Sequence, residues 1–232
     1  MQQIIDGLWT FTGLLMGRVY AIKDADGLTL IDGSLPNAAP KILKQLQAAG
    51  FKPSDVKRIV LTHAHMDHVG AFAQLLKQTP AELIVPAGEA DVVAGKIPPV
   101  RPDPATLNWL QRKMLPAEQC FDPLPISRTV SDGDVLAEVM DGLTCVFTPG
   151  HAPGHMAYWQ PQRRILFLGD VVMRMPNLRL PFRAYTVDMA QNIASFKRIL
   201  QLKPEIVCLG HGKPLFNATH VLTDWAQKKG II

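Results

Sequence analysis

Three histidines and one aspartate fall within the short run His63-Ala64-His65-Met66-Asp67-His68, directly after the apolar stretch Ile59-Val60-Leu61. Side chains alternate in an extended segment, so His63, His65 and Asp67 share one side, and a helix starting at His68 brings that ring round beside them. Imidazole and carboxylate are donor types that zinc prefers and that iron and manganese accept. Lone histidines mostly decorate loops. Here a strand, a ligand-dense turn and a helix started by Gly70 form one consistent local design for holding a cation.

Matching residues recur further along, each just after an apolar strand signal. His151 follows Cys145-Val-Phe-Thr-Pro-Gly, Asp170 follows Ile165-Leu-Phe-Leu-Gly, and His211 follows Ile206-Val-Cys-Leu-Gly. Ligands at strand ends are held by rigid elements, and the adjoining glycines let backbone and metal approach closely. His63, His65, Asp67, His68, His151, Asp170 and His211 together suffice for two metal ions.

The elements that must position these residues alternate between strand and helix, so the fold class is α/β. Residues 17 to 32 read as a hairpin turning at Asp26-Gly27, which is expected to open the fold. Asn37 is expected to cap a helix with Ile42, Leu43, Leu46 and Ala49 on one face, closed by Gly50. Strand signals follow at 58 to 61, 83 to 85, 143 to 147, 157 to 159, 165 to 168 and 206 to 209. Helical signals lie at 70 to 77, 88 to 93, 188 to 202 and 218 to 229. The segment from 96 to 125 is dense in proline and reads as an insertion, with a helix expected at 103 to 115 behind an Asp103 cap. A surface excursion and a cover over the site's mouth are weighed evenly for it.

The order His-x-His-x-Asp-His, Thr-Pro-Gly-His, Gly-Asp and Gly-His, in these strand contexts and over most of the chain, resembles the metallo-β-lactamase superfamily, which includes glyoxalase II and the lactonases. The resemblance implies a four-layer αββα sandwich of two mixed sheets with outer helices, spanning 1 to 232 as a single domain. It implies that His63, His65 and His151 hold one metal, that Asp67, His68 and His211 hold the second, and that Asp170 bridges them. Two Zn2+ ions are expected, with iron or manganese as alternatives. The implied activity is hydrolysis of an ester, thioester or lactone by a metal-bridging hydroxide, whose proton Asp67 shuttles. The alternatives weighed are an amide hydrolase of β-lactamase type, a phosphodiesterase or nuclease, and an iron-dependent sulfur dioxygenase.

Departures from the subfamilies narrow the choice. Little chain follows His211, where glyoxalase II carries a further helical domain, and Met173 stands where the acyl-homoserine lactone lactonases place a tyrosine. Asp170 is present where secreted β-lactamases lack the bridging aspartate, and the N-terminus carries no secretory signal pattern. Weaker candidates are Asp32, as a support for a ligand histidine, and His155 near the site. Met173 and Met175 are candidates to line the pocket. Arg174, Arg179, Arg183 and Lys213 are weighed as contacts to an anionic substrate against a solvated role, and His220 as a solvated helix residue.

Composition bounds the rest. A length of 232 residues with 47% hydrophobic content supports one substantial core. The net charge of +4 comes from scattered rather than massed basic groups, and at 7% aromatic content no stacking platform is interleaved with them. No nucleic-acid partner is therefore expected, and the resemblance implies a small-molecule acyl substrate. No apolar run is long enough to cross a bilayer, so a cytoplasmic location without membrane contact is expected. Cys120, Cys145 and Cys208 are too few for a disulfide framework, and the last two are expected to be buried as small hydrophobes.

Overall fold

Alternating parity along the strands sorts the apolar residues into three layers. In the computed structural model, which describes residues 1–118 and 120–232, the strands are β1 (Gln2–Ile5), β2 (Leu8–Thr10), β3 (Tyr20–Asp24), β4 (Gly27–Ile31), β5 (Val56–Val60), β6 (Glu82–Pro86), β7 (Arg128–Val130), β8 (Val135–Leu136), β9 (Leu143–Phe147), β10 (Met156–Gln160), β11 (Ile165–Gly169), β12 (Met173–Arg174), β13 (Leu178–Arg179), β14 (Ile206–Leu209) and β15 (Leu215–Phe216). Helices are α1 (Ala39–Ala48), α2 (Met66–Val69), α3 (Phe72–Gln78), α4 (Ala90–Val93), α5 (Trp109–Arg112), α6 (Met189–Leu200) and α7 (Ala218–Lys228).

Strands β1 to β7 form one seven-stranded sheet in sequence order, antiparallel as far as β4 and parallel from β4 to β7. The second sheet has the order β15-β14-β11-β10-β9-β8, and only β11 and β14 pair in parallel. Tyr20, Ile22, Ile31, Val60 and Ile84 from the first sheet meet Cys145, Tyr158, Phe167 and Cys208 from the second in a core between the sheets. Their neighbours in sequence point outward. Ala21, Leu30, Ile59 and Leu83 pack under α1 and α3, whereas Ala157, Leu166 and Val207 pack under α6 and α7. Two mixed sheets with a helical layer on each outer face make the expected αββα sandwich. Phe72 is fully buried in the first outer layer, and such burial contributes about 2–3 kcal/mol.

Two tyrosines tie the sheets together across this core. Tyr20 donates its hydroxyl to the Leu209 carbonyl at 2.6 Å, and Tyr158 donates to the Leu61 carbonyl at 2.5 Å. Both acceptors lie at the ends of strands that lead into ligand loops, so the bonds fix one loop cluster against the other. Backbone bonds from Arg18 N–H to Gly210 and from Met156 N–H to Thr62 close the same edge.

Several local expectations are corrected. The predicted hairpin is present as β3 and β4, but β1 and β2 precede it, so it does not open the fold. Asn37 caps nothing, because Pro36 starts a short 3-10 turn at Pro36–Ala38 and Asn37 lies inside it. The helix expected at 103 to 115 breaks in two. Asp103 caps only the turn Pro104–Thr106, and Asn108 then starts α5 with its own capping box to Gln111. Helix α2 begins at Met66 rather than His68. Residue 119 of the proline-rich segment lies outside the described residues. Among the described residues no helix is long and apolar enough to cross a membrane.

Candidate metal centre

All seven candidate ligands come from the C-terminal ends of β5, β9, β11 and β14, at one edge of the sandwich. Parallel pairing sets this up: β4 beside β5 brings Asp32 next to Thr62 and His63, and β11 beside β14 brings Asp170 next to Gly210 and His211. A side chain at Gly210 would collide with the Asp170 carboxylate, so glycine is required there for the close approach.

The donor atoms converge as two overlapping sets. His65 Nδ1 lies 3.2 Å from His63 Nε2 and 3.0 Å from His151 Nε2. Nearby, His211 Nε2 lies 3.1 Å from Asp67 Oδ2 and 3.1 Å from Asp170 Oδ2. Asp170 stands between them, its Oδ2 3.5 Å from His151 Nε2 and its Oδ1 3.5 Å from His68 Nε2. The trios His63, His65, His151 and Asp67, His68, His211 each bring their ligand atoms within 4.8 Å of one another, as does the linking trio His63, His68, Asp170.

Outer hydrogen bonds turn the imidazole lone pairs inward. The Thr62 hydroxyl donates to Asp32 at 2.8 Å, so it accepts from His63 Nδ1 at 3.1 Å and leaves His63 Nε2 free. The Thr186 hydroxyl donates to the Phe182 carbonyl at 3.0 Å and accepts from His151 Nδ1 at 3.2 Å. Asp32 accepts from His68 Nδ1 at 2.8 Å. Each bond fixes a tautomer whose other nitrogen can bind a metal. The buried atoms His68 Nε2 and Asp170 Oδ1 have no hydrogen-bond partner. In a shell otherwise satisfied, two such atoms side by side fit a cation as their shared partner.

Electrostatics differ between the two sets. Burial, with the neighbouring imidazoles, pushes His63 and His151 well below the usual histidine range, and burial pulls His65 down to about 4. These rings are neutral at neutral pH, the form in which an imidazole can bind a metal. In His211 burial acts downward too, but the carboxylates of Asp170 and Asp67 outweigh it and raise the ring to about 9. His68 is likewise raised, against its burial, by Asp170, Asp32 and Asp67. Burial works to raise Asp67 and Asp170, and the adjacent His68 and His211 overcome it, holding both carboxyls low, Asp67 at about 2.

Of the weaker candidates, Asp32 reaches His68 as expected. His155 is buried, donates from Nδ1 to Thr148 Oγ1 at 2.8 Å and accepts the Asp170 backbone N–H on Nε2 at 3.0 Å, so it orients Asp170 from outside the cluster. Met173 and Met175 line a cavity of about 390 Å³ that opens on His65, Asp67, His151, Asp170 and His211. Arg174, Arg183, Lys213 and His220 are exposed. The proline-rich segment flanks the site: Met114 reaches the main cavity, and Pro99, Val100 and Phe121 line an adjacent one of about 270 Å³ with His65, Met66 and Asp67.

Sequence reasoning missed Thr62, Thr186 and Glu89. Glu89 is buried and accepts the Ala64 N–H at 3.1 Å and the Gly154 N–H at 2.7 Å, joining the loop of His63 and His65 to that of His151; burial raises its carboxyl to about 7. Thr62 adjoins a ligand and was findable by position. Nothing in the sequence links Thr186 or Glu89 to the histidines they support.

Comparison with known proteins places the fold and the family. The family model described as the metallo-beta-lactamase superfamily matches residues 12–211. The chain is 27% identical over 233 residues to the probable metallo-hydrolase YflN of Bacillus subtilis (strain 168), covering 92% of this chain and 88% of that protein. It is 28% identical over 189 residues to the hydroxyacylglutathione hydrolase of Fuscovulum blasticum, covering 81% of this chain but only 58% of that protein. In fold it is similar to a metallo-beta-lactamase family protein from Thermus thermophilus, with a TM-score of 0.72, 22% identity, and 98% and 81% of the two chains covered. The ligand-bearing loops, the two mixed sheets and the family match agree, and the chain belongs to the metallo-β-lactamase superfamily.

Proposed function

We propose that this protein is a binuclear, zinc-dependent hydrolase that cleaves an ester, thioester or lactone. One observation carries the reading: three imidazole lone pairs face a common point, and the Asp170 carboxylate reaches from that set to the set containing His211. In this reading His63, His65 and His151 hold one cation, Asp67, His68 and His211 hold the other, and Asp170 serves both. Bound there, the cations would supply an activated water nucleophile near neutral pH and polarise the substrate carbonyl.

The chain's own residues do the rest. Asp67, part-exposed where the cavity opens, orients the attacking water and takes up its proton. As the acyl C–O or C–S bond breaks, that proton passes to the departing oxygen or sulfur. His155 and Glu89 keep the ligand loops from shifting while charge builds up at the carbonyl oxygen. The thioester arm draws support from relatives named hydroxyacylglutathione hydrolases, of which this chain spans less than two thirds.

Metal quantitation on the purified protein, coupled to a screen of thioesters, lactones, aryl esters, β-lactams and phosphodiesters, tests the proposal. About two metal ions per chain and turnover of acyl substrates are expected, with Asp67→Ala and His151→Ala folded but inactive. Turnover confined to phosphodiesters, or activity retained in both variants, would reject it.

A further inference from the structure

The 390 Å³ cavity over the ligand cluster falls in the usual range for small-molecule sites. Apart from the ligand side chains, its wall is largely sulfur and hydrocarbon: Met16, Met66, Met114, Met173, Met175 and Phe182. The chain has nine methionines, so more than half of them gather here. They come from separate segments: the loop before β3, the start of α2, the proline-rich segment, and β12 with the residue that follows its end. Met173 is buried, but core packing does not account for Met16, Met66 and Met114, which are 38%, 46% and 39% exposed.

Beyond the ligand cluster at its floor, the wall offers no counter-charge. Among the described residues no lysine or arginine lines this cavity. Arg179 stacks over the Phe182 ring at 3.8 Å and lines a different cavity. Arg101, in the adjacent 270 Å³ cavity, pairs with Glu118 and with the Pro116 carbonyl. An anionic substrate arm lying against the methionine wall, away from the ligand cluster, would lose water without gaining a partner, whereas an alkyl chain would cover apolar side chains that otherwise face solvent. Methionine's flexible thioether adapts to varied shapes, so such a wall suits chains of varied length and bend.

The geometry points to a substrate class: the methionine wall binds a neutral, flexible, apolar acyl chain, with its carbonyl at the ligand cluster. The reaction at that carbonyl rests on the hydrolase reading above, but the binding of the chain does not. A series of 4-nitrophenyl esters and acyl thioesters from acetyl to decanoyl, each with its ω-carboxylated counterpart, tests it on the metal-loaded protein. We expect kcat/KM to climb about three- to fourfold per methylene until the cavity is full, and the ω-carboxylate to cancel the gain. Methyl alkyl ketones of the same lengths have no bond to hydrolyse, and titrated onto metal-free protein they should bind with the same ladder. Met175→Lys and Met114→Lys, both at positions reached by solvent, should flatten both ladders, and Met175→Leu should keep them. Flat series in turnover and in ketone binding, or a preference for ω-carboxylated chains, overturns the inference. A ketone ladder without turnover of any acyl substrate leaves the wall assignment standing and rejects the hydrolase reading instead.

Discussion

Asp32 Oδ2 accepts a hydrogen bond from His68 Nδ1 at 2.8 Å, across two loops that follow neighbouring parallel strands. Asp32 adopts φ +60, a left-handed conformation that asparagine tolerates nearly as well. Asp32→Asn should therefore keep the backbone while removing the charge that fixes the His68 tautomer. We expect affinity for the second metal ion to fall about 10- to 100-fold, the usual effect of losing such a partner. Competition with a chromophoric chelator measures it, and unchanged affinity would mean that Asp32 serves only to bond Thr62.

The opposite electrostatics of the two ligand sets predict stepwise, pH-dependent loading. His65, at about 4, and His63 and His151, held well below the usual histidine range by burial, have no proton to lose at neutral pH, so the first metal ion should bind with little pH dependence there. His211 holds a proton up to about pH 9 in the metal-free chain, and a cation must displace it. Affinity for the second ion should weaken about tenfold per pH unit per proton displaced as the pH falls below that value. The same proton stabilises the metal-free fold. Its folded pKa lies above the ordinary value of 6.5, so the contribution is complete below 6.5 and lost as the pH rises through about 9. Calorimetry in buffers of different ionisation enthalpy counts the protons released, and equal counts for the two ions would contradict the assignment.

Much of this architecture was legible in the sequence because the strands that carry ligands are also the most apolar. The signals at 143 to 147 and 206 to 209 coincide with β9 and β14, and those for β5, β6, β10 and β11 lie within a residue or two. The strands that escaped notice are short. Strand β1 is largely solvent-facing, and β7, β8, β12, β13 and β15 have two or three residues each, formed by pairing rather than by local preference. The candidate ligand histidines stood out through type and spacing, whereas the groups that aim them did not. Asp32 stood out at a strand end through the family resemblance. Thr186 lies 35 residues from His151, and Glu89 lies 25 from Ala64 and 65 from Gly154. Such links exist only after the sheets have stacked.

Thr186 joins the ligand cluster to the cavity wall. Its hydroxyl accepts from His151 Nδ1 and donates to the Phe182 carbonyl, at the start of the turn that carries Tyr185 into the cavity. Thr186→Val nearly preserves the side-chain shape but strands both partners, at a cost of about 1–3 kcal/mol for a buried unsatisfied group. Two effects should follow. Without a fixed tautomer at His151, affinity for the first metal ion should fall by about tenfold or more. With the turn released, KM for acyl substrates should rise more than kcat falls, since the turn touches the substrate-binding wall. Thr186→Ser retains the hydroxyl and should restore both properties. A serine variant as impaired as the valine one would assign the effect to the lost methyl group, and Thr186 would then act through packing instead of through its two hydrogen bonds.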